Sequence, residues 1–350
     1  MSQRSPERSV IQMPGILPAD QPRELILKAS DTTNPDYGFQ SLDTLPITYL
    51  LQNGVIALDK PSGPTSHEVA TWVKKILEVD RVGHGGTLDP TVTGILPTGV
   101  GNATKAMQAL IPAGKEYVCV LELHKRAPED DVRRVIGEFV GKLYQKPPLR
   151  SSVRRLLRVR EIYYNQILEI KGRLVLFRVG CQAGTYIRKL CFDLGEALGV
   201  GGHMRELRRT RVGTFREDEH LCTLYDLKDA YVFWKEEGDE TELRKYLLPV
   251  EFGLGHLPVV NVRDSAVDAL CHGANLAASG VVSLSSDMKR DDMAVLKTLK
   301  GEAIAIAKCA DTSDKIAKAK SGIVAVTERV LMERGRYPSM WKKKSKDESS

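Results

Sequence analysis

At 350 residues, with 42% hydrophobic and 27% charged residues, the chain has the make-up of globular domains, and its length favours two of them or one with an attachment. No apolar run approaches the ~18 residues that cross a bilayer, and Ile11-Gln12-Met13-Pro14 breaks too early to be a signal core, so the chain is expected to stay where it is made. Six scattered cysteines form no C-x-x-C pair, which argues against a structural zinc site and a disulfide framework and for reduced, mostly buried thiols.

Residues 1–45 are polar and proline-bearing, an arm expected to be ordered only where it docks. Gly54-Val55-Ile56-Ala57-Leu58 reads as a buried strand, ended by the turn formers Asp59-Lys60-Pro61-Ser62-Gly63-Pro64. Thr65-Ser66-His67-Glu68 has capping-box spacing, and Val69, Trp72, Val73, Ile76 and Leu77 follow on one helical face. Glu116–Leu123 reads as a strand with Tyr117, Cys119, Leu121 and Leu123 on one side. Gln145-Lys146-Pro147-Pro148 must be extended and outside any central strand. Leu174–Val179 is a further strand, and Thr185 opens a helix with Ile187, Leu190, Cys191, Leu194 and Leu198 inward and Arg188 in its first turn. The stretch 246–258 turns to glycine and proline, as at a domain junction between two separate cores. Beyond it, short β-rich runs and a hairpin candidate at Lys300-Gly301 suggest a small barrel-like module. The tail from Trp341 is expected to be disordered. Strands and helices alternate irregularly, so the fold class is α+β rather than a doubly wound sheet.

Two features bear on chemistry. Gly83-His84-Gly85-Gly86-Thr87-Leu88-Asp89-Pro90 presents one carboxylate between a glycine-rich loop and a proline, with no second acid within six residues. Glycine lets the backbone approach another molecule closely, and Pro90 biases Asp89 toward an extended conformation. Such an acid can be a nucleophile, a general base or a turn residue, and loop chemistry alone favours the turn. The net charge of +6 is concentrated in two arginine runs, five within 150–160 (Arg150, Arg154, Arg155, Arg158, Arg160) and four within 205–211 (Arg205, Arg208, Arg209, Arg211). A solvated face is the usual meaning of a charge run, but the guanidinium fork fits phosphate bidentately, which tilts both toward nucleic acid. His67, just after Thr65, reads as a helix-start residue, and His203 and His272 lack the third ligand a metal requires; none is assigned chemistry.

The segments taken together resemble the TruB family of pseudouridine synthases, and within it the dyskerin-like catalytic subunits of box H/ACA ribonucleoproteins. The resemblance rests on Gly54-Val-Ile-Ala-Leu-Asp-Lys60-Pro61, Gly63-Pro-Thr-Ser-His67-Glu-Val, the Gly83–Pro90 loop, Gly114-Lys-Glu-Tyr117-Val-Cys-Val, Gln145-Lys-Pro-Pro-Leu-Arg-Ser151, Ala183-Gly-Thr-Tyr-Ile-Arg188-Lys-Leu and Gly201-Gly-His-Met-Arg-Glu-Leu207-Arg-Arg-Thr. Seven motifs in order are far more specific than one. Asp264–Ala274 and the β-rich runs around it look like a PUA domain. One departure is Ser151-Ser-Val-Arg154, where the family pattern suggests Ser-Ala-Val-Lys; the charge is kept.

The resemblance implies a catalytic domain over 46–250 with a mixed, mostly antiparallel central sheet, a PUA domain over 258–332, an arm over 1–45 docked on that module and a tail over 333–350. It implies that Asp89 attacks a target uridine flipped from the RNA stack, that Arg188 pairs with and orients Asp89, and that Tyr117 lies against the uracil and takes part in proton transfer. Lys60 and Pro61 brace the pocket floor, Leu207 lines it and His84 supports it. Without the family context, Tyr117 reads as a sheet-face core residue and Arg188 as a surface charge. Arg154, Arg155, Arg158, Arg205, Arg208, Arg209 and Gly273 are the candidate RNA contacts. No atom is gained or lost in the isomerisation, so no cofactor or metal is implied.

Two classes of function follow. One is an RNA isomerase, acting on guide-selected uridines of ribosomal RNA within an H/ACA particle, on the T-loop uridine of transfer RNA, or on both. The other is a non-catalytic RNA-binding scaffold; Asp89, Tyr117 and Arg188 together favour the enzyme. The implied partners are an H/ACA guide RNA and three small proteins, a zinc-ribbon nucleolar-type subunit, a glycine–arginine-rich-type subunit and a kink-turn binder of the ribosomal L7 type. The short arm and the absence of a long lysine-rich extension look archaeal, implying a cytoplasmic location, with the nucleolus as the eukaryotic alternative.

Overall fold

The computed structural model describes residues 15–146 and 156–340. The apolar run at 54–58 continues through Lys60 as β2 (Gly54–Lys60), because Asp59 and Lys60 still pair with Ile95 and Gly94 on the next strand. Thr65 caps the helix Ser66–Ile76: its Oγ1 accepts from Glu68 N at 3.2 Å, while its own N–H donates to the Glu68 carboxylate at 2.7 Å. Val69 and Val73 are fully buried, but Trp72 is 41% exposed. Three residues on from Val69, it falls at the edge of the apolar stripe.

Numbering strands from the arm strand β1 (Leu25–Leu27), the large sheet is built from β2, β3 (Val82–His84), β4 (Thr93–Val100), β5 (Lys115–Leu123), β6 (Gly141–Gln145), β7 (Arg158–Lys171), β8 (Leu174–Cys181) and β9 (Gly202–Val212). Its main path runs β2-β4-β9-β5-β8-β7-β6, with β3 paired to β4 and shorter strands at the margins. Most pairs are antiparallel; β4 with β9 and Leu221–Cys222 with β2 are parallel. The fold is α+β with a mixed, mostly antiparallel sheet. Alternation along β5 buries Cys119, Leu121 and Leu123 against the helix Ile187–Ala197, whose Ile187, Leu190, Cys191 and Leu194 share the same core cluster.

A second sheet of seven strands takes in residues 259–330 and, at one edge, β1. Leu25–Leu27 pair antiparallel with Ser285–Ser283, so the arm supplies an edge strand to this sheet. Further up the arm, Asp20 takes both Nη groups of Arg211 on β9, at 2.6 and 2.7 Å. The segment 15–27 therefore spans from one sheet to the other. Lys300-Gly301 does make the hairpin between Met293–Lys297 and Ala303–Cys309, with Gly301 at φ +88.

The second sheet has an apolar core of its own, with Val260, Leu284, Ile304 and Val324 among its buried residues, as expected, but the junction between the cores is itself packed. One apolar cluster joins Val55, Ala57 and Ile95 of the large sheet to Val295, Ile306 and Leu331 of the second, through Val250, Leu254 and Leu257. The glycine- and proline-bearing stretch 246–258 is thus packed core and not a linker. Its Leu248 and Pro249 even pair with β2. All six cysteines are buried and unpaired in disulfides.

Candidate active site

The loop from Gly85 to Val92 leaves β3 and returns as β4. Its backbone carbonyls are held from behind by side chains that come from distant points of the chain. Buried Arg209 donates from Nη2 to Gly86 O at 3.0 Å, from Nη1 toward Thr87 O at 3.5 Å and from Nε to Ile95 O at 2.8 Å. Ser66 Oγ donates to Leu88 O at 3.2 Å and accepts from Leu88 N at 2.9 Å. Fully buried Lys60 donates to Pro61 O, Pro90 O and Val92 O at 2.8–3.0 Å. A buried charge persists only when it is richly hydrogen-bonded, and here the partners are the loop itself. Two glycines make this approach possible. Gly86 sits at φ +139, and at Gly94 (φ +101) a Cβ would lie 2.2 Å from Arg209 O.

With its backbone fastened, the loop turns the Asp89 side chain outward. Arg188 Nη2 donates to Asp89 Oδ2 at 3.0 Å, and the two side chains are 60% and 63% exposed. An exposed pair of this kind contributes little to stability, ~0–1 kcal/mol, so its placement speaks for use at the surface and not for folding. The helix that carries Arg188 is set at its start by Gln145. The Gln145 Oε1 accepts from Tyr186 N at 2.9 Å and its Nε2 donates to Tyr186 O at 3.3 Å, both from a side chain that is buried.

Tyr117 lies on β5 in register with Arg209 on β9 and Val179 on β8. Burial pushes its phenol above the usual range, opposed by the neighbouring Arg209 guanidinium, so the hydroxyl is protonated at neutral pH. Leu207 pairs in register with Cys119 and packs half-buried at the rim of the same apolar cluster. His84, on β3 opposite Thr98, is held below the ordinary imidazole range by burial first, then by the charges of Arg209 and His67. Its buried Nδ1 has no hydrogen-bond partner among the described residues. Lys60 is likewise depressed by burial, then by Arg209, with Asp89 opposing. One cluster therefore brings together Asp89, Arg188, Tyr117, Lys60 and His84, from four separate stretches of chain.

The candidate RNA contacts divide. Arg154 and Arg155 lie outside the described residues. Arg158 opens β7. Arg205 is half exposed and flanks Glu122 at 3.2 Å. Arg208 is committed to two carboxylates, Asp59 (3.0 and 2.8 Å) and Glu217 (2.6 Å). Arg209 is a correction: at 1% exposure it cannot touch a phosphate, because strand alternation turns it inward while Arg208 points out. Gly273 holds φ +87 in open space, after the helix Asp264–Cys271. Ser66 and Gln145 are residues that sequence reading passed over. Their partners stand 22 and 41 positions away, and no local spacing signals either contact.

Residues 74–187 match the N-terminal domain of the TruB family pseudouridylate synthases and 188–255 the C-terminal domain of tRNA pseudouridylate synthase B. Residues 17–70 match the DKCLD (NUC011) domain and 258–331 the PUA domain. The chain belongs to the TruB family of pseudouridine synthases, with a PUA domain, and is an isomerase that converts uridine to pseudouridine in RNA. It is 54% identical to the "Probable tRNA pseudouridine synthase B" of Methanosarcina barkeri, covering 94% of this chain and 97% of that one, and 52% identical to the protein of the same name in Pyrococcus furiosus, covering 95% and 97%. Among solved structures, a Cbf5–Nop10–Gar1 complex matches with TM-score 0.90 and 53% identity, over 92% of this chain and 98% of that one. An H/ACA ribonucleoprotein bound to a substrate RNA containing 2′-deoxyuridine matches with TM-score 0.87 and 50% identity, over 93% and 100%. No helix among the described residues is long and apolar enough to cross a membrane.

Proposed function

We propose that Asp89 is the nucleophile of this synthase, that Arg188 orients it, and that Tyr117 is the ring on which the flipped uracil rests. The observation that carries this reading is the 3.0 Å ion pair between Arg188 and Asp89 at the mouth of a clamped loop. Extrusion of a base costs a few kcal/mol, and stacking on Tyr117 offsets part of it. An Asp89 carboxylate oxygen bonds to C1′ of the uridine as the C1′–N1 bond breaks, and it leaves C1′ again when C5 of the turned uracil displaces it. The uracil turns in place, a C1′–C5 bond forms, the C5 proton leaves and N1 gains one. Tyr117, protonated at rest, serves that last exchange as a relay, with Leu207, His84 and the Lys60–Pro61 floor confining the base.

The domain division supports a guided mode of action. The PUA domain over 258–332, with the arm over 1–45 docked on it, grips RNA away from the chemistry, and the catalytic domain over 46–250 receives the uridine. The likeness to H/ACA particle structures supports assembly with RNA and with Nop10- and Gar1-type subunits; an H/ACA guide RNA, a kink-turn binder and ribosomal RNA as substrate complete the proposal. The relatives' name supports the T-loop uridine of transfer RNA as a second substrate. A cytoplasmic location accords with both. Pseudouridine mapping on transfer RNA and ribosomal RNA, with and without guide RNA and partner subunits, tests this. Modification of ribosomal RNA only when guide and partners are present is the expected result; guide-independent modification of both RNAs overturns the guided reading.

A further inference from the structure

We infer that Arg209 is a positioning residue for the isomerisation, a buried guanidinium that locks the Asp89 loop to the strand carrying Tyr117. The inference rests on the assignment of Asp89 and Tyr117 above. Four observations carry it.

The first is burial without a counter-ion. Arg209 is 1% exposed, its largest perturbation is the burial itself, and the titratable groups that feel its charge include the Tyr117 phenol and the bases Lys60, His84 and Lys115. Removing a cation from water costs several kcal/mol after relaxation. A fold seeking only stability would place an apolar side chain there. The second is where its donors go. Nε and Nη2 reach Ile95 O on β4 and Gly86 O in the loop at 2.8 and 3.0 Å, one on each side of Asp89, so a single planar group ties the loop's upstream end to the strand that follows it. The third is the neighbour on its own sheet. Arg209 stands opposite Tyr117 across the β5–β9 ladder, and its guanidinium interacts with the phenol. The nucleophile's loop and the tyrosine are thereby referred to one rigid fork. The fourth is division of labour. Lys60 fastens Pro90 O and Val92 O, Ser66 fastens Leu88 O, and Arg209 supplies the loop's upstream anchor.

Arginine is needed for geometric reasons. A lysine would have to make both contacts from one nitrogen on a flexible stem, whereas Arg209 makes them from two nitrogens, Nε to Ile95 O and Nη2 to Gly86 O, held in one plane. Preorganisation of this kind acts on turnover and leaves RNA affinity alone, since Arg209 is out of reach of the nucleic acid.

The test uses the full-length protein with a transfer RNA transcript, comparing wild type, Arg209→Lys and Arg209→Ala. Arg209→Lys is expected to lower kcat by about ten- to a hundredfold, with KM, RNA Kd and the salt dependence of binding within about twofold of wild type. Arg209→Ala is expected to lose more and to regain part of its kcat when millimolar guanidinium ion is added, a response that a mere packing defect does not give. Wild-type kcat in Arg209→Lys overturns the inference. So does a loss carried by KM or by a shallower salt slope, which makes Arg209 an RNA contact. Loss of the thermal unfolding transition in both variants makes it a fold residue and overturns the inference as well. An Asp89→Asn control separates the two layers: if that variant turns over normally, the catalytic assignment itself has failed, whatever Arg209 does.

Discussion

Arg188 and Asp89 stand 99 positions apart in the chain and meet at 3.0 Å, each more than half exposed. The pair joins a helix start, pinned by Gln145, to a loop pinned by Lys60, Ser66 and Arg209. Both partners are therefore held by buried neighbours while the charges themselves stay open to a substrate. Rigid support behind an accessible pair of charges is the arrangement that preorganised catalysis requires.

Asp89→Asn removes the carboxylate without altering the loop's shape. Pseudouridine formation should fall by on the order of 10⁴-fold or more, as for other nucleophile deletions, while RNA affinity and melting temperature hold. Single-turnover assays and filter-binding titrations check both halves. Turnover near wild type would revive the scaffold reading.

Arg188→Ala should cost activity out of proportion to stability. The exposed pair is worth ~0–1 kcal/mol to the fold, so the melting temperature should barely move, while Asp89 loses its orienting partner and kcat drops by about a hundredfold. Urea denaturation set beside kcat would reveal the split. A stability loss as large as the activity loss would contradict it.

Lys115 sets a pH dependence. Its Nζ donates to the carbonyls of Leu110, Ile111 and Ala113, and burial, helped by Arg209, lowers its pKa to about 8. Below that pH both folded and unfolded states carry the proton. Above it the folded state releases the proton first, the unfolded state binds more, and stability rises until the unfolded lysine also titrates, near pH 10.5. The difference in unfolding free energy between wild type and Lys115→Met should shift in favour of wild type by roughly 3 kcal/mol between pH 8 and 10.5. A pH-independent difference would show that Lys115 does not titrate in that window.

Arg158→Gln and Arg205→Gln should weaken RNA binding at all sequences and flatten its salt dependence, each lost phosphate contact reducing the slope of log K against log salt by roughly 0.7–0.9. Arg209→Lys should leave the slope unchanged. Affinity titrations between 50 and 200 mM salt, about the range where counterion release dominates, distinguish these. Equal slopes for all variants would assign Arg158 and Arg205 to protein contacts or solvent.

Deleting residues 258–331 should destabilise the remainder. Val295, Ile306 and Leu331 leave a cluster that also holds Val55, Ala57 and Ile95, and uncovering surface matched to three large side chains costs about 5 kcal/mol. The truncated protein should melt lower and bind hydrophobic dyes. If it unfolds at the wild-type denaturant midpoint, the shared cluster is not an energetic unit.

The sequence alone determined the α+β class, the identity of the glycine loop with its single acid, the helix begun by Thr65 and the hairpin at Lys300-Gly301. Each depends on local periodicity, capping or turn chemistry, which act over a few residues. The seven motifs also carried the family resemblance, and with it Asp89, Tyr117 and Arg188 as a set. Local pattern had no means of placing Trp72 at the edge of its helix face, of converting the 246–258 stretch from linker to core, or of turning Arg209 inward while its neighbour Arg208 points out. Those outcomes depend on which strand lies beside which. The parallel pairing of β4 with β9 puts Gly94 against the Arg209 backbone, and that contact across more than a hundred residues of chain decides that one arginine of a basic run is an internal clamp. Tertiary packing sets the direction of a side chain on a strand, because alternation fixes only relative orientation and the core chooses which face it takes.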